Sequence, residues 1–171
     1  MSVKKLDYNF YRRDVLEVAP GLIGKFLVRK FDDGKVFRSM ITEVEAYRGE
    51  EDLGCHASKG RTSRTEIMYQ AGGVIYVYLI YGMYWMLNFV TGLKDNPQAV
   101  LIRGLDKIWG PGKITRDLKI DGSFYGVSLV DSDKIWIEDD GIVVNYLTGT
   151  RIGIDYAGEV WKNKMWRFSI K

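Results

Sequence analysis

The segment TEVEAY carries two carboxylates and a phenol at alternate positions, namely Glu43, Glu45 and Tyr47. The longer run VFRSMITEVEAY predicts a strand, in which alternate side chains point to one face. A carboxylate beside an aromatic ring can act as a general base next to a bound substrate. The second carboxylate could raise the pKa of the first or pair with an arginine. A strand face exposed to solvent has the same pattern, so the pattern alone leaves both interpretations open.

Several other kinds of chemistry are excluded by composition and spacing. His56 is the only histidine and Cys55 the only cysteine, and neighbours in sequence make a poor nucleophile and base. They cannot supply the usual four ligands of a zinc site, and one cysteine excludes an intrachain disulfide. GPGK lacks phosphate-loop spacing, because Lys107 stands where glycine belongs and Ile114 where Ser or Thr belongs.

A basic loop follows the acidic segment. HASKGRTSR places Lys59, Arg61 and Arg64 among glycine and serine. Such residues can donate to phosphate oxygens, although a solvated surface loop has a similar composition. The loop is therefore a candidate phosphate-binding segment.

An apolar hairpin comes next. IYVYLIYGMYWMLNF, residues 75–89, predicts two strands that meet at a turn around residues 81–84. Such turns favour Gly, Asn and Asp, whereas this turn surrounds Gly82 with Tyr, Met, Tyr and Trp. Aromatic side chains at a projecting tip can insert between stacked bases. A tip covered by another core segment is the common alternative, but the acidic strand and the basic loop together favour a nucleic-acid function.

Length and charge set the wider limits. The chain has 171 residues, a net charge of +3 and a pI of about 8.8, which permits an anionic partner. No apolar run reaches the ~20 residues of a membrane helix, and the N-terminus lacks an apolar signal core. We therefore expect no export and no membrane association.

Short turns join most of the predicted elements. Asp14 is placed to cap a helix over VLEVAPGLIG, with Pro20 and Gly21 disturbing its end. Residues 48–65 predict a loop, and WGPGKITRDLKI a turn that leads into a short helix. The predicted strands are KFLVRK and VFRSMITEVEAY around the turn FDDGK, the hairpin, AVLIRGL, KIWIEDD, GIVVNY and MWRFSI. This order predicts an antiparallel sheet with flanking helices.

These motifs together resemble the alkyladenine (3-methyladenine) DNA glycosylase family. The resemblance runs from about residue 9 to the C-terminus and is carried by ITEVEAYRGEEDLGCHASKGRTSR, YVYLIYGMYWMLNFV, AVLIRGL, GPGK and RIGIDYAGE. It implies an α+β fold over residues 1–171: a single compact domain with a curved, mainly antiparallel sheet, flanking helices and a projecting aromatic β-hairpin. It also implies excision of alkylated or deaminated purines from duplex DNA, without metal or cofactor.

The resemblance assigns three residues to the reaction itself. Glu45 matches the general base that deprotonates a water for attack on the sugar C1′. Arg103 matches an arginine that helps to hold this water, and the carbonyl of Ile152 matches its third ligand.

The resemblance also assigns contacts to the DNA. Tyr47 and Tyr78 match the aromatics that stack on the flipped base, and His56 matches a histidine at the base edge. Asn88 matches the residue that crowds the exocyclic amine of guanine, and Tyr81 matches the intercalating residue.

Some expectations remain less specific. Phosphate contacts are expected from Lys59, Arg61, Arg64 and, beside the Gly-Pro-Gly turn, Lys113, although that turn could equally be a structural helix start. The partner would be duplex DNA containing a damaged purine, bound by a monomer. The expected cellular location is the cytoplasm, in association with the nucleoid, if the protein is bacterial. It is the nucleus if the protein is eukaryotic.

Two alternatives remain open on sequence alone. A non-catalytic nucleic-acid-binding module could use the basic loop and hairpin, with Arg103 merely neutralising Glu45. A glycosidase acting on sugars could use Glu43 and Glu45 as its acid pair, although neighbouring side chains on one strand are poorly placed to flank a bond.

Overall fold

The computed structural model describes residues 2–171 and shows an α+β protein built on one sheet in which every strand pairing is antiparallel. The strands within these residues are β1 Lys4–Lys5, β2 Phe26–Lys30, β3 Val36–Arg48, β4 Ile75–Ile80, β5 Tyr84–Val90, β6 Gln98–Leu105, β7 Ile108–Trp109, β8 Ile135–Asp139, β9 Tyr146–Gly149 and β10 Arg167–Ile170. The α-helices are α1 Tyr8–Tyr11, α2 Val15–Leu22, α3 Pro111–Asp117 and α4 Gly158–Lys162. The predicted fold class is confirmed.

The long strand β3 joins two parts of the sheet. Its first residues pair with β2, and its later residues pair with β6 on one side and β10 on the other. The main path through the sheet is β1-β8-β2-β3-β6-β5-β4, and β9 pairs with β10. Helices α2 and α3 pack on this sheet, and their buried residues, such as Val18 and Ile114, join one apolar core. TEVEAY therefore lies at the centre of the sheet.

The helix after Asp14 forms as the sequence predicts. The Asp14 side chain accepts a hydrogen bond from the Leu16 N–H at 2.9 Å, which satisfies one of the free amides of the first turn. The helix continues through Pro20 and ends at Leu22, so the disturbance expected at Pro20 is small.

The strand predicted over GIVVNY is wrong in position. Residues 141–145 lie outside the strands, because the N–H groups of Gly141 and Ile142 donate to the side chains of Asp139 and Asp140 in a turn. Pairing with β10 begins only at Tyr146, where β9 starts. The apolar run thus marked the right region but not the paired residues.

Strands β4 and β5 form the aromatic hairpin. Tyr81 and Gly82 both have positive φ, 53° and 65°, and the Met83 N–H donates to the Ile80 carbonyl at 3.1 Å. Two central residues with positive φ are characteristic of a type I′ turn, whose twist matches that of the flanking strands. The Tyr81 side chain is 85% exposed, and Met83 is also exposed. No other segment among the described residues covers the tip.

None of the helices between residues 2 and 171 has the length and apolar character to cross a bilayer.

Candidate active site

A cavity of about 650 Å³ opens beside the hairpin, where β3, β4, β5 and β6 meet the loop before α4. This volume lies in the range of small-molecule sites. Eight residues singled out in the sequence line it: Tyr47, His56, Arg64, Tyr78, Tyr81, Asn88, Arg103 and Ile152. Segments far apart in sequence thus converge on one cavity.

Glu45 lies behind the cavity wall with no exposed surface. Its Oε1 accepts from the Ile152 N–H and its Oε2 from the Tyr47 hydroxyl, both at 2.7 Å. Burial raises the pKa of this carboxyl, and the raising is opposed by the Arg103 charge and by these two hydrogen bonds. A carboxylate with a raised pKa is a better proton acceptor, which suits a general base.

Arg103 reaches Glu45 because the sheet is irregular at this point. Residue Glu43 pairs with Gly104 but Val44 pairs with Ile102, so Arg103 is an extra residue between two regular pairs. A bulge of this kind turns a side chain away from its regular direction. The Arg103 Nε lies 3.6 Å from Glu45 Oε1, is buried, and has no hydrogen-bond partner among the described residues. An unused donor therefore stands beside the buried carboxylate.

Glu43 has a different environment from Glu45. Its Oε1 lies 3.5 Å from Arg103 Nε and 3.3 Å from Arg167 Nη1, and the side chain is partly exposed. The two glutamates thus both lie within 3.6 Å of the same nitrogen, the Nε of Arg103. This geometry does not place them on opposite sides of a sugar bond, which a glycosidase acid pair requires.

Tyr47 forms one wall of the cavity and is supported from behind. The Arg151 guanidinium lies 4.8 Å from the centre of the Tyr47 ring and 5.0 Å from that of Trp166. Arg151 makes two hydrogen bonds to Asp52, at 2.5 and 2.8 Å, and both side chains are fully buried. Arg151 also immediately precedes Ile152, so this buried ion pair fixes both groups that bind Glu45.

Tyr78 belongs to a cluster of aromatic and cationic side chains. The His56 ring lies 4.5 Å from the Tyr78 ring in an edge-to-face arrangement, and the Arg64 guanidinium lies 5.0 Å from the same ring. His56 Nδ1 and the Tyr76 hydroxyl are 2.9 Å apart. Burial, together with the nearby charges of Arg64 and Lys59, lowers the pKa of His56 to about 4. His56 is therefore neutral near pH 7 and a poor general acid.

This neutrality is testable because the chain has a single histidine. An NMR titration of the imidazole should show a midpoint near pH 4 and no transition near 6.5, the ordinary value. Arg64→Ala removes one of the charges that oppose protonation, so it should move the midpoint upward. A wild-type midpoint at 6 or above would contradict the environment described for His56.

Asn88 is buried at the cavity wall. Its amide nitrogen donates to the carbonyls of Tyr76 and Met86, at 3.2 and 3.3 Å. These bonds fix the amide in place, so the side chain can act as a rigid limit to the shape of a ligand. Its predicted contact with the guanine amine stays a prediction, as does the predicted use of the Ile152 carbonyl.

The four basic residues predicted to bind phosphate have different surroundings. Lys59 and Lys113 are exposed, and Arg64 lies at the cavity. Arg61 is engaged within the protein, since its Nη2 lies 2.6 Å from Asp95 and its Nε 3.6 Å from Glu66. Phosphate binding by Arg61 would have to compete with both carboxylates.

The Gly-Pro-Gly turn serves packing. A side chain at Gly112 would meet the ring of Tyr84 at 3.1 Å, so glycine allows α3 to approach the base of the hairpin. Of the two roles considered for the turn, the structural helix start thus has a direct physical reason.

Sequence reasoning missed several functional candidates. Tyr156 lines the cavity, and its hydroxyl donates to the Gly54 carbonyl at 3.3 Å. It lies within RIGIDYAGE, which was a signal that could have identified it. Arg151 and Asp52 are 99 residues apart, and nothing in their local sequence predicts that they pair.

Residues 2–171 contain no group of three or more His, Cys, Asp or Glu side chains arranged to hold a metal ion.

Comparison with known proteins gives a consistent result. The methylpurine-DNA glycosylase (MPG) family model matches residues 9–109 and 106–171. A protein of Psychrobacter cryohalolentis is 42% identical over 88% of this chain and 85% of its own length. Proteins of Natranaerobius thermophilus and Borrelia garinii subsp. bavariensis are 40% and 42% identical, over 98% and 97% of this chain and 96% of their own lengths. All three bacterial proteins carry the name "Putative 3-methyladenine DNA glycosylase".

Proposed function

The chain belongs to the methylpurine-DNA glycosylase family, and we propose that it flips alkylated or deaminated purines out of duplex DNA and hydrolyses their N-glycosidic bond. The observation that carries this proposal is the position of Glu45, a fully buried carboxylate that is hydrogen-bonded to two residues lining the aromatic cavity, Tyr47 and Ile152. The product would be an abasic site in an intact strand. The related proteins come from bacteria, where the substrate would be the DNA of the nucleoid.

The cavity suits a flat, electron-poor base. A purine inside a duplex is inaccessible, so it must leave the stack at a cost of a few kcal/mol. Tyr47 and Tyr78 offer aromatic rings inside the cavity, and ring faces attract the positive charge of an alkylated purine. The Arg64 guanidinium already lies over Tyr78, so a base that stacks there displaces it, and the DNA phosphates offer it an anionic partner.

The chemical step uses water as the nucleophile. Each carboxylate oxygen of Glu45 accepts one hydrogen bond from the protein, which leaves a second lone pair for a water. As the oxygen of this water forms a bond to C1′ of the sugar, Glu45 takes a proton from the water. The electron pair of the C1′–N bond leaves with the base. Arg103, whose Nε is otherwise unpartnered, helps to orient the water.

The leaving base determines how much more catalysis is needed. A cationic alkylpurine departs as a neutral molecule, so activation of the water suffices. A neutral base such as hypoxanthine needs a proton, and the lowered pKa of His56 argues against that residue as its source.

The alternative is a DNA-binding module without catalytic activity. In either case we propose that the protein acts as a monomer. Such a module does not need a carboxylate buried against an aromatic cavity, where desolvation is costly.

The purified protein should release free modified bases from methylated duplex DNA in the presence of a chelator. Borohydride should trap no covalent protein–DNA adduct, because an adduct requires an amine nucleophile. Binding without release would favour the DNA-binding module. A stoichiometric adduct would show that the nucleophile is an amine of the protein and not water.

Tyr81 should act on base extrusion and not on folding. Its ring is exposed and its φ is positive, a conformation that costs a non-glycine residue about 1 kcal/mol or more. Tyr81→Asn tolerates this φ but removes the ring, so we expect an unchanged or slightly raised Tm. Affinity for lesion DNA should fall about tenfold or more through lost stacking. A fluorescent base analogue next to the lesion would report extrusion.

Tyr81→Phe is the matched control for this change. It keeps the flat ring and should retain most of the extrusion. A folded Tyr81→Asn protein that extrudes the base normally would disprove the wedge role.

The surroundings of the basic residues predict different salt dependences. Lys59→Ala and Arg64→Ala should each flatten the plot of log affinity against log salt by about one unit. Arg61→Ala should leave the slope unchanged, because its guanidinium is held by Asp95 and Glu66. The change for Lys59→Ala should be similar for damaged and undamaged DNA. Equal changes for all three variants would mean that Arg61 leaves its partners on binding.

A further inference from the structure

Trp109 is a large aromatic side chain that the proposed reaction does not use. It is 76% exposed, which makes it one of the most exposed apolar side chains of the protein. An exposed indole beside a binding site commonly acts as a contact for the ligand, since it combines a large apolar surface with little conformational freedom. The position of Trp109 indicates which ligand this is.

Cross-strand pairing places Trp109 on the face that carries the site. Trp109 in β7 pairs with Gly104 in β6, and Gly104 pairs with Glu43 in β3. Directly opposed residues present their side chains on one face of a sheet. Two strand spacings amount to about 10 Å, so the backbone of Trp109 lies about that far from Glu43.

The segment that follows Trp109 runs along the rim of the cavity. The Gly110 N–H donates to the Arg103 carbonyl at 3.0 Å, Pro111 lines the cavity, and Gly112 packs against the Tyr84 ring. Strand β5 pairs with β6 only as far as Leu101, and β7 takes its place beyond this point. Trp109 thus lies on β7 at the end of the sheet from which the hairpin projects.

We propose that Trp109 is a second aromatic contact to DNA, which packs against the sugar of a nucleotide next to the extruded one while Tyr81 fills the vacated stack. This inference rests on the proposed function, because the DNA must lie across the cavity mouth. The exposed Lys113, four residues further along, supplies a positive charge on the same segment for the adjoining phosphate. Contacts to sugar and phosphate position a protein on duplex DNA without reading the base sequence.

The first test compares affinities for a duplex that carries one 3-methyl-3-deazaadenine, a stable isostere of the lesion. Trp109→Ala should bind about tenfold more weakly than wild type, as expected for the loss of one large apolar contact. Trp109→Phe should recover most of this affinity. Val143→Ala, which changes a 93% exposed apolar residue outside the cavity lining, should bind like wild type.

Unchanged affinity of a folded Trp109→Ala protein would overturn the inference. Base release by the wild-type protein, measured in parallel, separates this failure from that of the proposed function. If wild type releases base and Trp109→Ala binds normally, only the role of Trp109 is wrong. If wild type releases no base, the proposed function is wrong, and the affinities still decide whether Trp109 contacts DNA.

A second test observes the side chain directly. Protein labelled with 5-fluorotryptophan should give five ¹⁹F resonances, and the Trp109 resonance is the one absent from Trp109→Phe. That resonance should shift on addition of the duplex. No shift at saturating DNA would overturn the inference. A shift that instead follows protein concentration without DNA would identify a second copy of the chain as the occupant, and would also overturn it.

Discussion

Glu45→Gln should lower the single-turnover rate of base excision by about 10²- to 10⁴-fold, the range expected for loss of a general base. The amide cannot take a proton from water at neutral pH. Its oxygen can still accept from the Ile152 N–H, and its NH₂ group can donate to the Tyr47 hydroxyl, so the packing is retained. Affinity for lesion DNA should therefore remain close to wild type, as measured by fluorescence anisotropy.

Glu43→Gln is the matched control for this prediction. Glu43 contacts Arg103 and Arg167 at the edge of the site, so its loss should slow excision only a few-fold. Excision by Glu45→Gln within a few-fold of wild type would reject Glu45 as the base. Equal losses in both variants would show that the two carboxylates act together on Arg103.

Asp52→Asn should reduce the free energy of unfolding by about 3–5 kcal/mol, the usual cost of breaking a buried ion pair. The Asp52 carboxylate accepts four hydrogen bonds, two from Arg151 and one each from the N–H groups of Arg48 and Gly54. The amide of the Asp52→Asn variant points its own N–H donors at some of these N–H groups. It also leaves the Arg151 charge buried without a counterion. Urea unfolding followed by tryptophan fluorescence measures the change.

Asp33→Asn is the surface control for Asp52→Asn. Asp33 and its partner Lys35 are exposed, so this variant should unfold at nearly the same urea concentration as wild type. If Asp52→Asn also unfolds at nearly the wild-type urea concentration, the buried ion pair does not hold the Tyr47 wall and the Ile152 loop in place.

The sequence predicted those parts of the protein whose determinants are local. The cap at Asp14, the hairpin around Gly82 and the same-face placement of Glu43, Glu45 and Tyr47 depend only on neighbouring residues and strand periodicity. The short elements β1, α1 and α4 were not predicted, because two to five residues carry too little pattern.

Other features of the site depend on contacts between distant segments. The bulge that turns Arg103 toward Glu45 is a property of strand register, which alternation alone does not specify. Arg151 supports Tyr47 only because the chain returns to the site after 99 residues to meet Asp52. The engagement of Arg61 by Asp95 and Glu66 likewise follows from tertiary structure and not from the basic loop itself.

The most direct test of the proposed site is a crystal structure of the protein bound to a duplex with one 3-methyl-3-deazaadenine. We predict that the modified base lies outside the helix, between Tyr47 and Tyr78, with its C1′ facing Glu45 and the Tyr81 ring in the vacated stack. A base that remains stacked in the duplex, or DNA bound on a face away from the cavity, would contradict this account.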